Sequence, residues 1–276
     1  VAEPGLQVGI DLDQTIILAK PSLLLVYAGQ VPDEQLIRQL AWLGDSWTWL
    51  LRTMVLEERS EGEEKPTALD VGCGPGLVME RLSPHLDVRG VDIDPQAVLD
   101  SNARGQKASV ARAERLPFED GSFDIVYCSF LLLWVDDPLQ VIREMTRVSR
   151  DWVICLAEPD HLGRISHPPG VAALDGLFVN AIREQGADPG MGRRLQETFV
   201  RGGLRPVTGV HANMWSAQQL QEEAKEEWRS LTHSVDQAGL PDVRRAWDEA
   251  LADGSLVQYN PVFFALARKR GQARQE

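Results

Sequence analysis

The 276-residue sequence predicts an α/β fold, a mostly parallel sheet with helices on both faces. Three observations carry that expectation. From residue 66 onward, short apolar runs alternate with helical patterns, and the connections between them are short. One run, Ala68-Leu69-Asp70-Val71, stops in a turn with glycine at alternate positions, Gly72, Gly74 and Gly76. A helical segment begins directly after it at Leu77. A strand feeding a glycine turn at a helix start is where open α/β sheets receive ligands.

Taken in order, the chain opens with a stretch, 1–30, of weak pattern. Asp11-Leu12-Asp13-Gln14-Thr15 resembles the Asp-x-Asp-x-Thr signature of haloacid-dehalogenase-type phosphatases. Such a domain needs its own parallel sheet, a lysine and a further acidic pair for Mg²⁺. The residues between Thr15 and the first core strand read as helix instead, so the stretch is expected to be an extension or turn. Residues 33–58 carry Leu36, Leu40, Leu43, Trp47, Leu50, Leu51, Met54 and Val55 at helical spacing, a packing face. A charged linker, Glu57 to Lys65, precedes the core.

Strands are expected at 67–71, 87–92, 108–111, 123–129 and 152–158, with helices at 76–83, 95–103 and 137–148. Next come a Pro/Gly-rich loop with an apolar helix at 171–185, a helix at 192–202, a strand at 205–213 and a charged helical insertion at 217–252. A last strand at 261–268 leads to a polar tail, 269–276. The segments 161–190 and 217–252 are candidates for a cap over the strand ends.

Composition narrows the function. Twenty-eight Lys and Arg face 41 Asp and Glu, a net charge of −13. A nucleic-acid partner would need a basic footprint, so none is expected. No run of about 18 apolar residues offers a membrane span. Cys73, Cys128 and Cys155 fall in or at the ends of expected strands, at spacings that fit neither a zinc site nor a disulfide framework. That usage fits a reducing cytoplasm, and no metal is expected.

The chemistry begins at the glycines. Their Gly-x-Gly-x-Gly spacing puts Leu77 where a dinucleotide fingerprint needs glycine, which argues against NAD or FAD. Asp70, just before the turn, suits a ligand carrying an ammonium group. The second strand ends in Asp92, 22 residues after Asp70, where a carboxylate can accept both hydroxyls of a ribose. Asp94 and Pro95 read as the cap and first residue of the next helix.

With these residues in place the sequence resembles the class I S-adenosylmethionine (SAM)-dependent methyltransferases, in the branch of ubiquinone and menaquinone biosynthesis. The matching motifs run in order. They are Leu69-Asp70-Val71-Gly72-Cys73-Gly74-Pro75-Gly76, then Gly90-Val91-Asp92-Ile93-Asp94, then Ala113-Glu114-Arg115-Leu116-Pro117-Phe118 with Ser122-Phe123-Asp124. Cys128-Ser129-Phe130 and Trp134-Val135-Asp136-Asp137-Pro138 complete them. The likeness covers roughly 66–160 well and 188–215 loosely.

The resemblance implies a Rossmann-like seven-stranded sheet with its last strand antiparallel. The organisation would be an N-terminal extension and helix over 1–65, a methyltransferase domain over 66–268 and the tail. It implies SAM as co-substrate, under which Gly72, Cys73, Gly74 and Gly76 form the turn. Asp70 would orient that turn and the amino group, and Asp92 would take the ribose. Ile93, Ala113 and Glu114 would line the adenine, and Ser129 would sit beside the sulfonium. Many relatives carry an acid before the Ala-Glu pair, where this chain has Arg112. The usual turn before the fifth strand is replaced by Ser149-Arg150-Asp151-Trp152.

In-line methyl transfer asks mainly for alignment and exclusion of water. His161, past the tip of strand 152–158, is the candidate general base. Glu158 and Asp160 lie beside it. Trp134, Tyr27, His211 and Trp215 are candidate acceptor-pocket aromatics. The acceptor is expected to be a small molecule methylated at O, N or C, and a homodimer stays open. Two other readings stand beside this one: a SAM-binding regulatory or assembly module without turnover, motivated by Arg112, and a nicotinamide-dependent reductase, against which the glycine spacing speaks.

Overall fold

The computed structural model of the protein describes residues 33–57, 63–211, 228 and 240–269. The phosphatase-like pattern at 11–15, Tyr27, Trp215, much of the 217–252 insertion and most of the tail lie outside the described residues.

Helix α1 (Asp33–Leu50) runs into a π-helical turn, Leu51–Val55. There follow β1 (Thr67–Val71), α2 (Leu77–Leu82), β2 (Asp87–Asp92), α3 (Pro95–Ala103), β3 (Ala108–Val110), β4 (Phe123–Ser129) and α4 (Pro138–Val148). Then come β5 (Ser149–Pro159), a 3₁₀ turn His161–Gly163, β6 (Ile165–His167), α5 (Pro169–Glu184) and α6 (Met191–Arg201). The rest is β7 (Val207–Val210), α7 (Leu240–Asp253), β8 (Val257–Tyr259) and β9 (Val262–Arg268).

The main sheet has seven strands in the order β3-β2-β1-β4-β5-β9-β7. The pairs among β1 to β5 are parallel, and β9 runs antiparallel to both neighbours, β5 and β7. Strand order reverses between β1 and β4, so their C-terminal tips form the switch point.

Each face has its own core. Leu43, Trp47 and Leu50 of α1 and Met79 and Leu82 of α2 cover Ala68, Ile125, Tyr127 and Ile154. Val141, Ile142 and Met145 of α4 and Leu195 and Phe199 of α6 cover Leu69, Val71, Val126, Cys128 and Val153. Caps match their side chains: Asp94 accepts from Gln96 N at 2.8 Å before α3, and Asp137 accepts from Gln140 N at 3.0 Å before α4.

A third cluster joins α5 to α7 through Val171, Leu174, Val243 and Trp247. Beside it, β6 and β8 form a two-stranded antiparallel sheet. The small sheet has no counterpart in the sequence reading.

Two expectations need correction. Residues 149–152, expected in place of the usual turn before the fifth strand, form no turn: α4 passes directly into β5, whose first residue is Ser149. Ser149 is fully buried and its hydroxyl donates to the Trp152 carbonyl at 2.9 Å, so the polar residues there are strand. The regular α-helix over 33–58 stops at Leu50, and the π-turn follows.

Candidate functional site

The site is built on the switch point. Leaving β1, the chain crosses β2, and the N–H groups of Gly72 and Cys73 both donate to the Val91 carbonyl, at 2.8 and 3.0 Å. Gly72, Gly74 and Gly76 have φ of +74°, +51° and +83°. A residue with a Cβ is strained there by about 1–2 kcal/mol. A Cβ on Gly72 would stand 2.7 Å from Leu131 Cδ1, whereas one on Gly74 would meet no protein atom within 4 Å. Gly74 therefore borders open space over the turn, room that a ligand's backbone approach requires.

Asp92 ties this turn to the next helix. Its Oδ2 accepts from Gly74 N–H at 2.8 Å and its Oδ1 from Asp94 N–H at 2.9 Å. Burial raises its pKa, and the two N–H groups pull it back. A carboxylate offers about four lone-pair sites, so acceptor capacity remains for two hydroxyls. Ile93, the next residue, is 53% exposed at the strand tip, an apolar face for an aromatic base. Ala111 N–H donates to the Asp92 carbonyl at 2.9 Å and so brings the segment after β3 to the same edge.

On that segment Ala113 packs half-buried against the core. Arg112, the departure from the family pattern, lies 3.5 Å from Glu114 Oε2. The arginine is thus engaged with the acid two residues on.

Asp70 is the register partner of Tyr127 on β4, and its side chain is 1% exposed. Burial pushes its pKa up to about 8. The Tyr127 hydroxyl is near enough to draw that value down, yet neither group completes a hydrogen bond of normal geometry.

Ser129 ends β4, half-buried, and Phe130 follows with φ of +52°. A bulky residue in that region is unusual and clusters at functional sites. Phe130 is held by its N–H, which donates to the Ala157 carbonyl at 2.7 Å, and by Trp47 of α1, edge-on with ring centroids 6.5 Å apart.

At the tip of β5, fully buried Glu158 accepts from Leu132 N–H at 3.0 Å and Leu133 N–H at 2.9 Å. Burial raises its pKa to about 8 against these two bonds. The carboxylate pins the turn after β4 whose Leu131 side chain packs on Gly72. Asp160 pairs with Arg193 of α6 at 2.7 Å.

His161 stands edge-on to Phe178, with centroids 5.0 Å apart. Burial and the nearby Arg164 guanidinium lower its pKa to about 3. At neutral pH it is uncharged and a weak base. His211, proposed as a pocket aromatic, is buried and its Nε2 bonds the Leu156 carbonyl at 2.7 Å. Trp134 is packed against the core.

Asp70, the glycine turn, Asp92, Ile93, Ala113, Glu114 and Ser129 thus lie on or next to the C-terminal ends of β1 to β4, and His161 begins the 3₁₀ turn after β5. The sequence reading did not find the roles of Tyr127, Phe130 and Leu131. Tyr127 shows only once strand register is known. Glu158 before Pro159 was visible, but its acceptor role depends on a turn 25 residues earlier. Two surface depressions, of about 360 and 420 Å³, lie elsewhere, beside Lys65 and Lys107 and beside Thr48 and Arg52. Neither touches these strand tips. Among the described residues, no three His, Cys, Asp or Glu side chains are grouped to hold a metal ion.

The family described as a methyltransferase domain matches residues 69–155. An uncharacterized 37.1 kDa protein in transposon TN4556 of Streptomyces fradiae is 30% identical over 261 residues, 88% of this chain and 73% of that protein. The malonyl-[acyl-carrier protein] O-methyltransferase of Pseudescherichia vulneris is 26% identical over 196 residues, 69% of this chain and 63% of that enzyme. The fold is shared with a solved SAM-dependent methyltransferase of Thermotoga maritima, at a TM-score of 0.53 and 13% identity over 90% of this chain and 99% of that one. The methyltransferase-domain match and the methyltransferase relatives agree with the resemblance that the sequence motifs carry, and the chain belongs to the class I SAM-dependent methyltransferases.

Proposed function

We propose that the protein methylates a small molecule held between the tips of β1, β2, β4 and β5 and the cap of α5, α7 and the β6–β8 pair. The observation that carries the reading is the Asp92 carboxylate, which fastens an open glycine turn at the switch point and keeps acceptor capacity to spare. Bound SAM supplies a methyl group already activated on a sulfonium. The chain's own residues bind and align. Asp92 takes the ribose hydroxyls, Ile93 and Ala113 flank the adenine with Glu114 at its edge, and Ser129 lies toward the sulfonium. Trp47 and Phe130 close the turn from the α1 side and exclude water.

No proton acceptor is assigned to His161 in this reading, because its basicity is too low at neutral pH. Alignment carries the transfer. The acceptor atom, O, N or C, is left to experiment. The net charge of −13 weighs against a polyanionic acceptor. The domain is read as 66–268, with cap segments near 161–190 and 217–252 and an N-terminal extension before it. Three free, buried cysteines suit a reducing compartment such as the cytoplasm. No described helix is long and apolar enough to cross a membrane.

The test supplies the protein with SAM labelled in its methyl group and with cell extracts split into small molecules, protein and nucleic acid. Label in a small-molecule product is the expected result. Label confined to a macromolecular fraction overturns the acceptor class. Binding of SAM with no labelled product in any fraction would favour a regulatory module.

A further inference from the structure

The Asp70 side chain completes no hydrogen bond of normal geometry with the described residues. Both carboxylate oxygens are buried and unpartnered, and so is the hydroxyl of Tyr127, its register partner. The ionisable groups acting on the pair are Cys73 from the turn and Asp92 from β2, so all four members of the cluster are acids. Among the described residues, the helices covering this face pack Leu43, Trp47 and Leu50 from α1 and Met79 and Leu82 from α2 into its core. A carboxylate so placed is stable when neutral or when a cation arrives from outside. Burial accordingly pushes the Asp70 pKa up to about 8.

We propose that Asp70 and Tyr127 form a proton-linked counter-ion pair for the cationic cofactor. In the cofactor-free protein Asp70 holds a proton. When SAM brings its positive charge to the glycine turn, the Asp70 O–H bond breaks and the proton leaves to solvent. Tyr127 keeps its own proton and donates it as a hydrogen bond to the new carboxylate. No other bond changes. Tyr127 is then a positioning residue that acts through Asp70. The inference rests on the placement of SAM at the glycine turn, and it makes cofactor affinity depend on pH.

Calorimetric titration of the full chain with SAM tests it, in two buffers of different ionisation enthalpy at each pH. The buffer dependence of the heat counts the protons exchanged. Most of one proton is expected to be released per SAM bound near pH 7. Between pH 5 and 7 the Kd should fall by up to about tenfold per pH unit. The cofactor's own amino group, with an ordinary pKa of about 7.7–8.0, stays charged over that range. Asp70→Asn should abolish the release and flatten the profile. Tyr127→Phe should keep the release but move the pH profile upward, a change that a purely packing role would not produce. Saturable binding by the wild type with no proton released overturns the proposal, as does undiminished release by Asp70→Asn. If Gly74→Val leaves SAM affinity unchanged, it is the placement of the cofactor that fails instead.

Discussion

Asp92 holds two backbone N–H groups with one carboxylate, and this sets what its loss would do. Asp92→Ala frees Gly74 N–H and Asp94 N–H together and removes the carboxylate proposed to accept from the ribose. Gly74→Val leaves those bonds their partner but strains a φ of +51° and fills the open space over the turn. Each substitution is expected to weaken SAM binding at least about tenfold, roughly 1.4 kcal/mol, with an unchanged circular dichroism spectrum. Calorimetry that finds wild-type affinity in both variants would sink the cofactor placement. His161→Gln makes the opposite test. General bases contribute about 10²–10⁴-fold. The labelled-SAM assay is expected to show a change within about threefold, and a hundredfold loss would restore the histidine to the chemistry. The glycines and Asp92 were legible in the sequence because one residue type serves each position. The isolation of Asp70 was not, because it depends on what β4, β2 and two helices do not place beside it.

At the scale of elements, Glu158 links β5 to the turn after β4. Glu158→Ala leaves Leu132 N–H and Leu133 N–H without their acceptor in a buried setting. Unmet buried donors cost about 1–3 kcal/mol each, partly offset by removal of a desolvated acid. A net loss of about 2 kcal/mol is expected from urea unfolding at neutral pH. No loss would mean that the Asp188 N–H bond to the Leu133 carbonyl, at 2.8 Å, holds the turn unaided. The inner parallel strands β1, β2, β4 and β5 were readable because strands inside a parallel sheet are apolar runs, which here stop at glycine or a polar residue. Other features left weaker marks. Strands β6 and β8 have three residues each, and Ile165, Val257 and Tyr259 stay 58, 50 and 41% exposed, so no buried run announces them. The start of β5 is Ser-Arg-Asp, whose polar side chains read as a turn. Arg150 bonds Asp124 at 2.7 Å, and Ser149 is buried by tertiary packing.

For the whole molecule, buried titratable groups set the response to pH. Asp70 and Glu158 both rise to about 8 in the folded chain, from ordinary values of 3.8 and 4.5. Between those values the folded state holds more protons than the unfolded one, so these two groups make stability fall as pH rises. His161 runs the other way, from 6.5 unfolded to about 3 folded. There the unfolded state holds more protons, and stability rises with pH up to about 6.5. The pKa of His211 is also lowered by burial, and it acts in the same direction as His161. The two trends oppose each other below about pH 6.5, and above it only the acids remain. Cofactor-free protein is therefore expected to be most stable near pH 5 and to lose about 3 kcal/mol between pH 6.5 and 8, from one pKa unit being worth about 1.4 kcal/mol for each group. Urea midpoints across that range measure the loss. Glu158→Gln should remove about half of the slope, and saturating SAM should remove the share of Asp70. Stability that is level or rising from pH 6.5 to 8 would show that the two carboxyls are already ionised in the folded chain, and the counter-ion role of Asp70 would go with it.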